Sequence, residues 1–306
     1  MTTGRLARAA GIIALLLVAS RLLGLVREMV LAGAYGTTGE TDAFISSLVI
    51  VNSLAAILLF TLVTAVIPAF QRESAESGDH SAWRLLWAVA AWSALGLVIL
   101  SAAVALFPEL VGRAVFVTKP ERAAEAADLL RIMAPAVTLQ GLSALATALL
   151  QARGRFAAPA AVGVALNLGI IAGLLIGART IGIEVAAWGV VVGGLLQLVV
   201  QAPQFLRLRA EARARPTFRH PRLAAVGALA VPVAAASFLQ QINNITDKIF
   251  ANTLDDGRTT ALAFANTLGQ VPRAALLLPL VTPLFPALAR MLAEGRRGDA
   301  ALAVQR

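Results

Sequence analysis

Apolar runs about twenty residues long, separated by short polar connections, recur eight times along the chain. They centre on 10–31, 43–69, 85–107, 129–151, 157–178, 183–206, 223–250 and 261–289. At 1.5 Å per helical residue, about 20 residues cross the roughly 30 Å hydrocarbon core of a bilayer. Lipid offers backbone N–H and C=O groups no partners, so runs of this length are expected as helices. The pattern predicts an all-α polytopic membrane protein with eight transmembrane helices. Residues 1–206 form a six-helix N-lobe, 207–222 a polar linker, and 223–306 the first two helices of a C-lobe with a tail.

The first run is unusual. Gly11–Leu31 contains Arg21 and Arg27, side chains that stay charged at any ordinary pH. Each costs roughly 2.5–3.5 kcal/mol at the centre of a membrane helix, whereas each strong apolar residue returns only about 0.3–0.6 kcal/mol. The helix is marginal alone, and the arginines are expected to face a protein-lined, hydrated interior. Two fixed positive charges there point to an anionic cargo. The same interruption argues against a cleaved signal peptide, whose apolar region would not carry Arg21.

Composition supports the membrane class: 58% of the 306 residues are hydrophobic, 14% are charged, and the mean hydropathy is +0.79. There is no cysteine, and the two histidines, His80 and His220, fall in polar connections. No phosphate-binding loop, metal cluster or nucleophile–base pair is present in the sequence, so neither a cofactor nor enzyme chemistry is expected. The net charge of +9 reads as a topology signal rather than a nucleic-acid one. Alternate connections carry sixteen Arg and Lys on one side and five on the other. The positive-inside rule then puts both termini of this chain in the cytoplasm, with the protein multi-pass in the membrane. The six arginines of 207–222 make that linker cytoplasmic. They either contact anionic headgroups or simply set the topology.

Residues 41–70 laid on 259–288, an offset of 218, agree at ten of thirty positions. Leu62-Val63-Thr64 falls on Leu280-Val281-Thr282, and Pro68-Ala69 on Pro286-Ala287. Span 8 is thus the partner of span 2 and span 7 the partner of span 1. Six spans separate the partners, so the two repeats are parallel, an arrangement that places a substrate site between halves in many transporters. Only the first two spans of the second repeat occur, so the chain reads as part of something with at least four more helices.

Polar residues at membrane depth gather in the same four spans. Span 1 carries Arg21, Arg27 and Glu28; Asp42 opens span 2 and Asn52 follows within it. Span 7 has Gln241, Asn244, Asp247 and Lys248, and span 8 has Asn266, Gln270 and Arg273. Local pairing would join Asp247 to Lys248 and an arginine to Glu28 or Asp42, with Arg27 a candidate partner of Asp42. A shared cavity better explains why they cluster in equivalent helices, and Arg21, the deeper arginine, is its first candidate. Elsewhere, Gly169, Gly173 and Gly177 share one face of span 5, and Gly189 and Gly193 one face of span 6, as close helix packing requires. Pro135, Pro232, Pro272, Pro279 and Pro283 are expected to interrupt helices, as hinges or as static kinks.

These residues resemble a known family. SRLLGLVRE (20–28), Gly36 and TDAF (41–44) are similar to the opening of the MurJ/MviN lipid II flippases. The likeness continues through 129–160, 186–203, 241–254 (QINNITDKIFANTL) and 261–272 (ALAFANTLGQVP). The resemblance implies two helical lobes around a cationic cavity. It also implies movement of an undecaprenyl-pyrophosphate-linked peptidoglycan precursor to the outer leaflet of the bacterial cytoplasmic membrane by alternating access. Arg21, Arg27 and Asp42 match family positions, and Asp247-Lys248 resembles an Asp-Arg pair of span 7. Arg21, Arg27, Asp42, Asn52, Asp247, Lys248, Asn266 and Arg273 are the expected substrate-binding residues. Lipid II and membrane lipids are the implied partners, with cell-wall synthesis or division proteins as candidate ones. Two departures stand out. Residues 52–60 (NSLAAILLF) lack the family's span-2 arginine, and Thr267 stands where span 8 commonly has another. A flippase for another lipid-linked saccharide, a related exporter, and a non-transporting scaffold derived from a flippase therefore stay open.

Overall fold

The structure, a computed structural model, describes residues 3–178, 180–212 and 215–270, and every regular element among them is helical. α1 (Thr3–Tyr35) is followed by α2 (Gly39–Thr61), a π-helical turn (Leu62–Val66) and α3 (Ile67–Ser77). Next come α4 (Asp79–Leu106), α5 (Pro108–Val115), α6 (Pro120–Ala152), α7 (Ala157–Ala160) and α8 (Val162–Gly177). α9 (Glu184–Ala212) runs into the linker, α10 (Leu223–Asn252) follows it, and residues 258–270 form a further helix, α11.

Six stretches are long and apolar enough to cross a membrane: Gly39–Ser77, α4, α6, α7 with α8, α9 and α10. Eight were expected. α1 is not among the six found in the described residues. Most of the eighth run, with Pro272, Arg273, Pro279 and Pro283, lies outside the described residues.

Local chemistry sets the helix ends. Thr38 caps α2 through a reciprocal box, its N–H donating to Thr41 Oγ1 at 2.8 Å while its own hydroxyl accepts from the Thr41 N–H. The π turn precedes Pro68, which has no N–H to return to the carbonyl one turn earlier. α6 and α10 continue as single helices through Pro135 and Pro232, so these two prolines do not break their helices.

α6 is the most enclosed of the six stretches and packs against α2, α4, α5 and α9. Its Leu130, Met133 and Val137 are buried with Phe44 and Val51 of α2 and Ala187 and Val190 of α9. One polar knot crosses this core. The Gln201 amide of α9 donates to Ser143 Oγ at 2.7 Å and its carbonyl accepts from the Thr147 hydroxyl at 3.0 Å, so no polar atom of that side chain is stranded. At the other end of α2, Phe70 and Trp83 stack edge to face, 5.8 Å apart, in a second apolar cluster. There the linker is clamped down: Arg222 Nε reaches Glu73 at 2.9 Å, and Ser81 donates to the same carboxylate at 2.6 Å.

α8 and α9 touch along the expected glycine faces. A Cβ on Gly169 would lie 2.4 Å from the Gly193 backbone, and one on Gly173 would lie 2.8 Å from the Val185 carbonyl oxygen. Gly169→Leu must therefore separate the helices, with an expected loss of about 1–3 kcal/mol as for overpacking elsewhere. Gly96 has open space around it, so Gly96→Ala is the neutral control. Denaturation in detergent distinguishes them; equal stability of both variants would refute the tight contact.

Candidate functional site

α1, α2, α10 and α11 enclose a cavity of about 330 Å³. Its polar wall consists of Arg27 and Glu28 from α1, Asn52 from α2, Gln241, Asn244, Asp247 and Lys248 from α10, and Asn266 and Thr267 from α11. The charges balance at this level, two cations against two carboxylates.

Arg27 is fixed rather than free. Its guanidinium pairs with Glu28 and donates to the Asn167 carbonyl oxygen at 3.1 Å. The Asn167 amide in turn donates to the Ser20 and Gly163 carbonyls at 3.1 and 3.0 Å. One side chain of α8 thus both ties α1 in place and aims Arg27. Three buried atoms keep unused capacity at this wall: the Arg27 Nε donor and the Glu28 Oε2 and Asn52 Oδ1 acceptors. Buried polar groups are normally satisfied, so these three atoms mark where the wall can take a further polar partner.

Five of the eight expected binding residues meet here: Arg27, Asn52, Asp247, Lys248 and Asn266. Arg21 lies seven residues from Glu28, hence on nearly the same face about 10 Å along α1. It is exposed and donates to Gln270 at 2.6 Å, joining α1 to α11. Arg273 lies outside the described residues. Arg27 pairs with the neighbouring Glu28 and not with Asp42, and among the described residues Lys248 is in no ion pair with Asp247. Asn167 was missed, because a lone asparagine in a glycine-rich apolar run carries no signal of its partner.

Asp42 does something else. It is 3% exposed and seals α2 against α11, just before the cavity residues Phe44 and Ile45 in sequence. Its Oδ2 accepts from the Gly257 N–H at 2.7 Å, and its Oδ1 accepts from the N–H and hydroxyl of Thr260 at 2.8 and 2.6 Å. The two N–H groups are otherwise unfilled donors at the start of α11, so a residue of α2 caps a helix at Thr260, 218 residues further along the chain. Gly257 must be glycine: its φ is +88°, and a Cβ would stand 2.3 Å from the Thr37 carbonyl oxygen. Beside it Asn252 accepts from Thr259 at 2.6 Å and donates to Ser46 at 3.1 Å. Outside the seal, Asp256 takes Lys119 and Arg122, both at 2.7 Å. The Lys119 ammonium hydrogen bond and the Arg122 guanidinium hold the Asp256 carboxyl below its ordinary value.

Comparison with known proteins finds a family model, lipid II flippase MurJ, that matches residues 31–305. The chain is 28% identical over 291 residues to the probable lipid II flippase MurJ of Buchnera aphidicola subsp. Acyrthosiphon pisum, covering 92% of this chain and 57% of that protein. It is likewise 28% identical over 298 residues to the lipid II flippase MurJ of Burkholderia cenocepacia, covering 89% and 54%. A solved structure of lipid II flippase MurJ in an inward closed conformation superposes with a TM-score of 0.77 at 22% identity, over 93% of this chain and 59% of that one. The chain spans a little over half the length of the curated relatives it matches.

Asp42→Ala strands buried N–H groups at Gly257 and Thr260, a loss of about 1–3 kcal/mol each. In this cysteine-free chain, a cysteine at Ser46, one turn deeper than Asp42, should gain reactivity toward an impermeant maleimide when Asp42 is removed. Unchanged labelling would show that the seal stands without it. The outer cluster has its own pH dependence. A carboxyl whose folded pKa is depressed contributes fully above its ordinary value, here 3.8, and loses that contribution as pH falls through the folded value. Stability in detergent should therefore be flat from about pH 5 to 8 and fall only below about 4, with Asp256→Asn removing that acid step.

Proposed function

The chain belongs to the lipid II flippase MurJ family, a family of transporters and not enzymes, and on that premise we propose that it moves a lipid-linked peptidoglycan precursor across the membrane by alternating access. The observation that carries this reading is a polar, partly unsatisfied cavity beside the contact of Asp42 with the start of α11. The cavity lies between α1 and α2 on one side and α10 and α11 on the other, the equivalent helices of the two repeats. In this reading the seal at Asp42 faces the outer leaflet, and the linker and both termini face the cytoplasm, consistent with the excess of Arg and Lys on that side. The cargo's pyrophosphate enters from the linker end and meets Arg21 and Arg27, whose planar guanidinium forks suit phosphate oxygens. Arg21 must then release Gln270, and Arg27 must share its fork with Glu28. Release of Thr260 and Gly257 by Asp42 opens the opposite end.

The lipid chain stays in the bilayer throughout, so only the polar head needs a protein path. The charge-balanced wall, with Thr267 where an arginine is common in the family, favours a second reading in which the cargo is another lipid-linked saccharide.

Growth of a strain depleted of its own lipid II flippase separates the two. Expression of the protein should restore growth. Arg27→Ala removes a charged hydrogen bond to the cargo, about 1.5–3 kcal/mol or roughly 10–100-fold in affinity, and should abolish rescue with insertion unchanged. Arg21→Ala should do the same. Rescue by both variants would remove the arginines from the mechanism, and failure of the unaltered protein to rescue would favour the other saccharide.

A further inference from the structure

A second cavity shares no lining residue with the first. It has a volume of about 480 Å³ and lies between α4, α6, α9 and the linker, within the roughly 300–1,000 Å³ range of small-molecule sites. Its walls are almost wholly apolar. Ala90, Ala91 and Ala94 of α4 leave room opposite Leu142 and Leu145 of α6 and Leu198 of α9. The one amide in the wall, Gln201, is already committed to Ser143 and Thr147. The neighbouring surface is equally apolar: Trp92 on α4 is 54% exposed and Val199 on α9 is 56% exposed. Helices of this length and hydropathy place such a surface against lipid.

The mouth at the linker end is different. Trp87 and Phe205 meet edge to face, 6.2 Å apart, and the Arg209 guanidinium lies over the Trp87 ring at 5.9 Å. The linker crosses there, pinned by the Trp92 indole donating to the Phe218 carbonyl at 3.1 Å. Arg215 and Arg219 flank the linker residues that line the cavity. Arg209, Arg215 and Arg219 are in no ion pair among the described residues, whereas Arg222 and Arg153 are paired with carboxylates. The Trp87 indole N–H is also buried without a partner.

An apolar chamber within the bilayer, entered past unpaired guanidinium groups and an unfilled N–H, fits one chemistry. We propose that this cavity binds an anionic phospholipid of the leaflet on the linker side, with an acyl chain among the α4 alanines and the phosphate at Arg209. The arginine-rich linker then acts as the headgroup-binding edge of a lipid site, which goes beyond setting topology. Lipid association of this kind does not depend on what the first cavity transports.

Native mass spectrometry of the purified protein in detergent tests it, with dioleoyl phosphatidylglycerol and dioleoyl phosphatidylcholine as probes. One phosphatidylglycerol should be retained per chain, about tenfold over phosphatidylcholine, a ratio suited to one charged hydrogen bond. Arg209→Gln, an exposed position, should erase that preference with helicity and elution unchanged. Ala94→Phe should lower retention of both lipids by filling the chamber. Equal retention of the two lipids by the unaltered protein, or an unchanged preference in Arg209→Gln, would overturn the proposal. Displacement of phosphatidylglycerol by equimolar undecaprenyl phosphate would also overturn it, assigning the chamber to a polyprenyl chain.

Discussion

A carboxylate taken out of water has to fill its lone pairs with donors, and the start of a helix is a place where donors are left over. Asp42 and α11 answer each other's need across 218 residues of chain. No cation lies within ion-pair distance of Asp42 among the described residues, so the stabilisation comes from two backbone N–H groups, a hydroxyl and the helix dipole. That arrangement brings the two repeats together at one end. It holds the start of α11 against the start of α2, beside the cavity residues Phe44 and Ile45. The repeat offset gives the contact its symmetry, since residue 260 is the repeat partner of residue 42.

The rest of the chain makes that end rigid. α6 supplies a buried spine against which α2, α4 and α9 are packed, and the glycine faces hold α8 against α9 at backbone distance. α1 does not belong to this core in the same way. It leans on α8, and Asn167 both receives Arg27 and bonds the α1 backbone at Ser20. The charges that make α1 a poor membrane helix alone are thus accommodated by a neighbour that is otherwise wholly apolar. What is left over, the Nε of Arg27 and the free oxygens of Glu28 and Asn52, faces the cavity.

Much of this was legible beforehand, and the limits are instructive. Span positions follow from runs of apolar residues, and the close α8–α9 contact follows from glycines four apart, because both are periodic signals along one helix. Five of the polar residues singled out in spans 1, 2, 7 and 8 line one cavity. Partner choice was not readable. Of the two carboxylates expected to take an arginine, Glu28 holds Arg27 and Asp42 does not, since the adjacent carboxylate and an asparagine on α8 are nearer than a residue in the next helix. Asp42 looked like a cavity residue because acidic side chains near membrane depth usually serve one. Its role as a cap depends on Gly257 and Thr260, which sit in a turn with no strong sequence signal of its own.

The two cavities show the same division. Hydrophobic length and the distribution of Arg and Lys, which depend only on local composition and the thickness of a bilayer, determined by themselves that this is a helical membrane protein with a basic linker. Which side chains share a wall was decided by tertiary structure alone. The reason is that a helix presents each residue at 100° to the last, so the partner of a buried charge depends on how neighbouring helices are rotated and how deep they sit. No single helix encodes that rotation. It emerged only when α6 was buried, α8 met α9, and Asp42 found the first turn of α11.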